Sequence, residues 1–529
     1  MNKLVNTLET RDMSWNGTFK ISDENQLRRF LFLGSENGTL NASAKELTQT
    51  NLVALDRLLF KKDFSTILDI IDEYKVKIFK KDYILLVLAI CCSLIKFEGT
   101  NEKDFKKNCF ETVLEICKTP TNLFMFIEFY QKVYQSKHNA KGWNTSMKNC
   151  VSSWYNSKTP ENLIYHVTKY KNRNGWSHKD VLRLSHTTTN DEQLNRVFRY
   201  IIKDLEENVQ YPECFNYVKA IKHLSDESCT LDDVITSIRK FNLVREQIPT
   251  KWLNEKNVWD SMLPTMPNTA LLRNLNKITS VGSLETVHKD DITGLDIVLC
   301  KISKIKDVHP LQLLISLKQY SSGQGDKGSL TWKPHPRICS ALNSAFYELF
   351  DGIKATGKRM LLALDVSGSM SWTNVCGIDC LTAAEVACAM SMIFQKVEGS
   401  ETMIMGFSNR FIPLDINCTQ TLETNLKVTN KMTFGSTDIS LPFKWAEDNN
   451  LAYDAVIVFT DSDTNSNKVP PVQALRYYRQ AMKTDTKLVV CALAANNISI
   501  ADPDDPTMLD ICGFDSSTHN AINEFLTLL

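Results

Sequence analysis

The chain has 529 residues, 43% of them hydrophobic, with 61 Lys and Arg against 61 Asp and Glu. That length exceeds what one core organises and implies more than one domain. Zero net charge means that affinity for a polyanion has to come from local clustering, and no apolar run reaches the roughly 18 residues of a membrane-spanning helix.

The N-terminus, MNKLVNTLETRD, lacks the apolar stretch of a signal peptide, so an intracellular location is expected. The first two-thirds reads as helices. Apolar residues recur at helical spacing in STILDIIDEY (65–74), NLFMFIEFYQKVY (122–134) and NLIYHVTKY (162–170). Thr119-Pro120 and Thr159-Pro160 are start signals for the last two. YILLVLAICCSLI (83–95) is too short to cross a bilayer and reads as a buried helix. Repeated amphipathic helices with short polar breaks predict an array of helical repeats, although no fixed sequence period is visible. SSGQGDKGSLTWKPHPR (321–337), rich in Gly, Ser and Pro, reads as a long connector.

From Thr356 strand and helix alternate. Strands are predicted at MLLALD (360–365), TMIMGFS (402–408), AVIVFTD (455–461) and KLVVCALA (487–494). Helices are predicted at 382–397, 421–432, 439–448 and 472–482. Continuous apolar strands alternating with helices specify a mostly parallel sheet covered on both faces. The expected division is a helical domain over 1–355 and an α/β domain over 356–529. Charge divides at the same place: residues 356–529 carry 12 Lys and Arg against 20 Asp and Glu, a net of −8, and the preceding 355 residues are at +8. The 15 cysteines are scattered, with no CxxC and no zinc-type Cys/His spacing. CGIDC (376–380) comes nearest to a metal or redox motif and reads as loop and core thiols; reduced cysteines fit the cytosol or nucleus.

In the α/β part, ligands are expected beyond the carboxyl ends of the strands. Asp365 ends the first strand and is followed by Ser367 and Ser369. Asp461 follows AVIVFT, and Thr437 lies in a loop, GSTDIS, that opens a helix. Asp365, Ser367, Ser369, Thr437 and Asp461 are all hard oxygen donors, which select Mg²⁺ or a similar divalent ion and leave a position for a partner's carboxylate or phosphate. Enzyme signatures are weak. DVSGS lacks the first glycine of a nucleophile elbow, there is no GxxxxGK[ST], and His519 is the one histidine after Thr356. A hydrolase centred on Ser367 is therefore disfavoured against a binding protein.

In the helical part, VTKYKNRNGWSHKDVLRLSH (167–186) is the sharpest feature. Lys169, Lys171, Arg173, Lys179 and Arg183 are basic, and Asp180 is the only acid; His178, His186, Tyr170 and Trp176 interleave. Asn174-Gly175 reads as the end of one helix, and Ser177 with Asp180 as a capping box that starts the next. Cations gathered at such a corner suit phosphate, as do backbone N–H groups at a helix N-terminus, and His186 is placed to meet a base or a backbone oxygen. By local sequence alone, a solvated charged corner with Trp176 and Tyr170 in the core is the more ordinary reading.

LLALDVSGSM, GSTD and VFTD together resemble a von Willebrand factor A-type domain with a metal-ion-dependent adhesion site, over roughly 356–529. The resemblance implies partner binding without catalysis, with the two serines and Thr437 on or next to the ion and the aspartates helping directly or through water. The basic segment, MPNTALLRNLNKIT (266–279), HPLQLLISLKQYSSGQG (309–325) and IADPDDPTMLDICGFD (500–515) extend the likeness to nearly the whole chain, which resembles the sixty-kilodalton Ro ribonucleoprotein family. That family implies an α-helical ring of HEAT-like repeats, the TROVE domain, followed by the α/β A-type domain. It implies binding of small noncoding Y RNAs on the outer ring surface, and of misfolded small RNAs whose single-stranded 3′ ends pass through the hole. It further implies a role in RNA quality control and stress response, a monomeric ring, no membrane partner, and a cytoplasmic location with a nuclear pool. The family's Y RNA surface maps onto Lys169, Arg173 and His186. Lys171, His178, Lys179 and Arg183 are added here from charge and position. Two departures, Ser436 in place of a glycine of the vertebrate members and the loop SDTNSNKVPP after Asp461, leave the protein partner of the metal site open. A metal-dependent scaffold that binds no RNA is the alternative reading.

Overall fold

The computed structural model describes residues 22–33, 39–41, 52–77, 81–94, 100–139, 142–206, 209–288, 291–325, 328–375, 378–408, 410–429, 437–461, 469–494, 500–502, 505 and 507–528. The chain forms two compact units, Asp63–Leu349 and the combination of Met1–Lys62 with Phe350–Leu529. Among the described residues the strands are β1 (Thr39–Asn41), β2 (Asn172–Arg173), β3 (Trp176–Ser177), β4 (Met360–Asp365), β5 (Asn374–Val375), β6 (Ile378–Thr382), β7 (Thr402–Phe407), β8 (Phe411–Pro413), β9 (Ala455–Thr460), β10 (Lys487–Ala492) and β11 (Met508–Cys512).

The unit Asp63–Leu349 is helical, and alternate helices stack. Lys81–Cys92 packs on Pro120–His138, Thr100–Ile116 on Thr145–Asn156, Thr145–Asn156 on His178–Ser185, and Pro160–Lys169 on Glu192–Lys203. This is the pattern of a repeat array, in which a helix that cannot bury its apolar stripe alone buries it on neighbours. The helix Lys81–Cys92 is buried from Tyr83 to Cys92, because nearly every residue of that run is apolar. Thr159 caps its helix by accepting from the Asn162 N–H, whereas Thr119 makes no such side-chain bond. No helix among the described residues is long and apolar enough to cross a membrane.

Two sequence expectations are corrected in this unit. Asn174-Gly175 does not end a helix. The helix stops at Lys169, and the pair, with φ of 52° and 74°, forms the two-residue turn of the antiparallel β2–β3 hairpin. Asn-Gly at left-handed dihedrals is the preferred chemistry of such a turn. Nor is 321–337 a loose connector. Helices Pro310–Ser321 and Pro336–Glu348 pack together, Gln324 and Thr331 form an antiparallel bridge, and the buried Trp332 donates its indole N–H to the Tyr320 carbonyl at 2.7 Å. Gly323 sits at φ 69°, and a Cβ added there would lie only 3.0 Å from the Trp332 carbonyl oxygen, so the turn favours glycine on both counts.

The other unit is built on a seven-stranded sheet of order β1-β11-β10-β9-β4-β7-β8, parallel throughout except for β8, which pairs antiparallel with β7. β4 and β9 are buried along their whole length, as central strands covered on both faces must be. One face carries Ile439, Phe443, Leu475 and Tyr478 against Leu361, Ala363, Val456 and Val458. The helical and α/β parts do not divide at a single point near 355. β1 pairs with β11, and the helix Asp23–Leu33 packs on Thr518–Leu528, so the described N-terminal residues up to Lys62 belong with the C-terminal unit.

Candidate metal centre and candidate nucleic-acid interface

β4 and β9 are neighbours in the sheet, and their carboxyl ends bring Asp365 and Thr460 together. Asp365 is 3% exposed. Its Oδ1 accepts the Ser367 N–H at 2.8 Å, which folds the DVSGS turn back over the strand end. Its Oδ2 accepts from the hydroxyls of Thr460 at 2.9 Å and Thr437 at 3.3 Å. The Ser367 and Ser369 hydroxyls lie 3.1 Å apart and are half-buried. Asp461 and Thr437 are each 6% exposed. All five oxygen-bearing residues singled out in the sequence thus belong to the strand-end region of one sheet.

Burial pushes the Asp365 carboxyl above the usual carboxylate range, and the nearby Asp461 charge adds to it, partly offset by the bonds from Ser367 and Thr460. Two buried carboxylates with three hydroxyls form an all-oxygen set that suits a hard divalent ion. Two contributors were not read from the sequence. Thr460, the last residue of β9, reaches Asp365 directly. Asp438 accepts from the Ser440 N–H and hydroxyl at 3.0 and 2.6 Å and donates its own N–H to the Ser408 carbonyl, which ties the Thr437 loop to the end of β7. Their signal was position beside Asp461 and Thr437. Gly435, Ser436 and most of the loop after Asp461 lie outside the described residues, as does Cys376 of CGIDC. His519 is buried with its ring 4.7 Å from that of Phe394.

In the helical unit the basic segment forms a helix end, the β2–β3 hairpin and the helix His178–Ser185. Lys171, Arg173, Lys179, Arg183 and His186 are exposed and Lys169 is half-buried. Lys179 and Arg183, one helical turn apart, lie opposite the buried Val181, Leu182 and Ser185. Tyr170 carries two cations, the Lys169 ammonium at 5.3 Å and the Arg173 guanidinium at 5.8 Å from its ring centre. Lys169 also donates to the Tyr165 hydroxyl at 2.9 Å. Burial pulls Lys169 down, but that bond and the neighbouring Glu246 outweigh it and hold the ammonium above the usual lysine range. Trp176 is half-buried against Trp143. His186 closes its helix in the left-handed region, at φ 53°, and donates its N–H to the Leu182 carbonyl.

His178 is a correction: it does not belong to this surface. It is 3% exposed, its Nδ1 lies 2.8 Å from the Tyr155 hydroxyl, and its ring meets Phe124 and Tyr155 edge-on. Burial holds it down at about 3, so it is a neutral core residue. Asp180 completes the capping box with Ser177, which puts a carboxylate at the helix N-terminus. The exposed side chains, not those backbone N–H groups, are what this corner offers an anion.

A family model of the TROVE domain matches residues 10–318, and one of the Ro60 vWA domain matches residues 359–526. The chain belongs to the Ro60 family. The vWA match spans the strand-end oxygen cluster, and the TROVE match contains the basic segment and runs across the boundary between compact units at residue 62. A Ro60 relative in Caenorhabditis elegans, named an RNA-binding protein, is 33% identical, with 96% of this chain and 88% of that protein covered. Another of the same name, from Deinococcus radiodurans, is 33% identical over 98% of this chain and 95% of its own. The crystal structure of the Deinococcus radiodurans Ro protein superposes with a TM-score of 0.84 at 31% identity, covering 96% of this chain and 99% of that one. A helical N-terminal region followed by a vWA domain with a mixed central sheet is therefore the fold of this Ro60 family member.

Proposed function

We propose that the chain is a non-enzymatic RNA-binding protein of a ribonucleoprotein complex. The observation that carries the reading is the corner formed by the exposed Lys171, Arg173, Lys179, Arg183 and His186 with the half-buried Lys169. Asp180 there is engaged in its capping box, and Glu128 is occupied by Lys132 and the Asn174 amide. Membership of a family whose curated relatives are named RNA-binding proteins supports it. The ligands are Y RNAs on the outer surface of a monomeric ring of HEAT-like helices, and misfolded small RNAs threaded by single-stranded 3′ ends, in RNA quality control and the stress response. Recognition rests on phosphate charge and RNA shape, and so is loose in sequence. The protein acts in the cytoplasm, with a nuclear pool.

Asp365, Ser367, Ser369, Thr437 and Asp461 would hold Mg²⁺. The ion would supply a coordination position for a carboxylate of a protein partner. This chain's own part is to fold the DVSGS turn through the Asp365–Ser367 bond and to bring Thr437 and Thr460 onto Asp365.

Binding of a labelled structured RNA with a single-stranded 3′ tail across a salt series tests the reading. Wild type is expected to bind tightly with a steep salt dependence, and Lys169→Ala/Arg173→Ala/His186→Ala to bind weakly with a slope shallower by about 2–3. Absence of salt-sensitive binding by the folded wild type overturns it in favour of a metal-dependent scaffold.

A further inference from the structure

We infer that His223, Cys229 and Asp233 form a site for a borderline divalent cation of the zinc type, in the turn that joins two successive helices of the helical unit. The helices are Phe215–His223 and Leu231–Phe241. One ligand atom from each of the three side chains lies within 4.8 Å of the others. Tetrahedral zinc, with bonds of about 2.0–2.3 Å, places its donors roughly 3.3–3.8 Å apart. The cluster thus needs to close by about 1 Å. His223 is half-exposed, so its ring can swing inward, while Asp233, though exposed, is held by its Oδ2, which accepts from the Thr230 N–H and hydroxyl at 2.9 and 2.7 Å.

A second observation points the same way. His223 Nδ1 lies 3.1 Å from Oδ2 of Asp226, and its Nε2 is turned toward Asp233, 3.8 Å from Oδ2. A carboxylate bonded to one ring nitrogen is the device that fixes a ligating histidine's tautomer and aims the other nitrogen at a metal. An imidazolium bridging the two aspartates would account for both contacts. It does not involve the Cys229 thiol, which is buried beside them and donates to the Thr230 carbonyl at 3.6 Å.

The donor set is one sulfur, one nitrogen and one oxygen. It selects zinc over magnesium and differs in kind from the all-oxygen cluster at the strand ends. The turn is organised without a metal. Asp226 and Cys229 donate their N–H groups to the carbonyls of His223 and Asp226. Thr230 and Asp233 form a capping box, and Lys251 donates to the Asp226 carbonyl at 3.2 Å. Three protein ligands leave a fourth position for water, and the bound ion clips the turn between the helices. The spacing, with five residues between His223 and Cys229 and three between Cys229 and Asp233, matches no zinc-finger pattern, so a search for paired Cys and His passes over it.

The test is a Co²⁺ titration of the full chain, stripped of metal by a chelator and kept reduced by a non-thiol reductant. One ion per chain is expected to give thiolate-to-cobalt charge-transfer absorption with tetrahedral ligand-field bands. Cys229→Ser abolishes the charge-transfer band, and Cys300→Ser, which removes an exposed thiol, leaves it. Asp365→Asn also leaves it, which separates this site from the strand-end cluster. Asp226→Asn weakens the affinity about 10- to 100-fold. Circular dichroism verifies that each variant is folded, and Asp233→Asn provides a second ligand variant. Absence of charge-transfer absorption in the folded wild type, or absorption that survives Cys229→Ser, overturns the assignment.

Discussion

The Tyr155 hydroxyl lies 2.8 Å from Nδ1 of His178, inside the helical unit and directly beneath the basic corner. The bond fixes the start of the helix that carries Lys179 and Arg183 on its outer face. A core histidine, not a surface one, therefore positions the cations. Replacing His178 with Ala should destabilise the unit by about 2–4 kcal/mol, through the cavity and the orphaned Tyr155 hydroxyl. RNA affinity measured on the folded fraction should change far less than in Arg173→Ala. Loss of RNA binding without loss of stability in chemical denaturation would return His178 to the interface.

The same histidine predicts acid sensitivity. Burial holds His178 at about 3 and His166 at about 4. In the unfolded chain both titrate near 6.5. The unfolded state thus binds protons first as pH falls below about 6.5, while the folded state stays neutral. Stability is fully present above that pH and is lost progressively down to about 3–4, each histidine removing up to about 1.4 kcal/mol per pH unit within the window. Urea unfolding at pH 7, 6 and 5 should show the decline, and His178→Gln should flatten it. A wild-type midpoint independent of pH over that range contradicts the placement of both rings.

Trp332 tests the segment that reads as a connector. It is 8% exposed and anchors the turn between two packed helices through the Tyr320 carbonyl. Trp332→Ala should cost about 3–5 kcal/mol, the range for a buried aromatic. A true linker would tolerate the change with no shift in the unfolding midpoint.

Much of this architecture was legible in sequence, for physical reasons that also explain the failures. β4 and β9 are six-residue strands, each five apolar residues followed by Asp365 or by Thr460 just before Asp461, so both the strands and the oxygen cluster could be read. β1 is three residues long, and its partner β11 carries a buried aspartate, Asp510, so neither shows a strand pattern on its own. Pairing between residues near 40 and near 510 is set by the fold and not by either segment. His178 was misread because a histidine amid lysines looks exposed, whereas helical phase puts it on the buried side with Val181 and Leu182. Asn174-Gly175 was misread because the same pair serves a helix end or a hairpin, and only β2 and β3, two residues each, distinguish them.

The hairpin gives its own prediction. Gly175 sits at φ 74° with no atom within 4 Å of where a Cβ would be, so a substitution meets backbone strain and no clash. Gly175→Val should cost about 1–2 kcal/mol locally and disturb the position of Arg173. RNA affinity should fall severalfold while the unfolding midpoint of the C-terminal unit stays put. An unchanged affinity would show that the hairpin does not present the cations to RNA.

The oxygen cluster predicts a separable metal response. Magnesium at 100 times its dissociation constant stabilises the state that binds it by about 2.7 kcal/mol. For a unit of 150–250 residues that is a rise of roughly 5–10 °C in the unfolding midpoint. Asp365→Asn should remove the response. It keeps an acceptor for the Ser367 N–H, and the Thr460 and Thr437 hydroxyls can turn to accept from the new amide, so the sheet should hold. Ser367→Ala/Ser369→Ala should remove it too, without altering a buried charge. Both variants should bind RNA as wild type does, with the same salt slope, because the cations proposed to contact phosphate all belong to the helical unit. A wild-type midpoint indifferent to magnesium rejects the metal reading, and a variant that folds normally but loses RNA rejects the division of labour between the two sites.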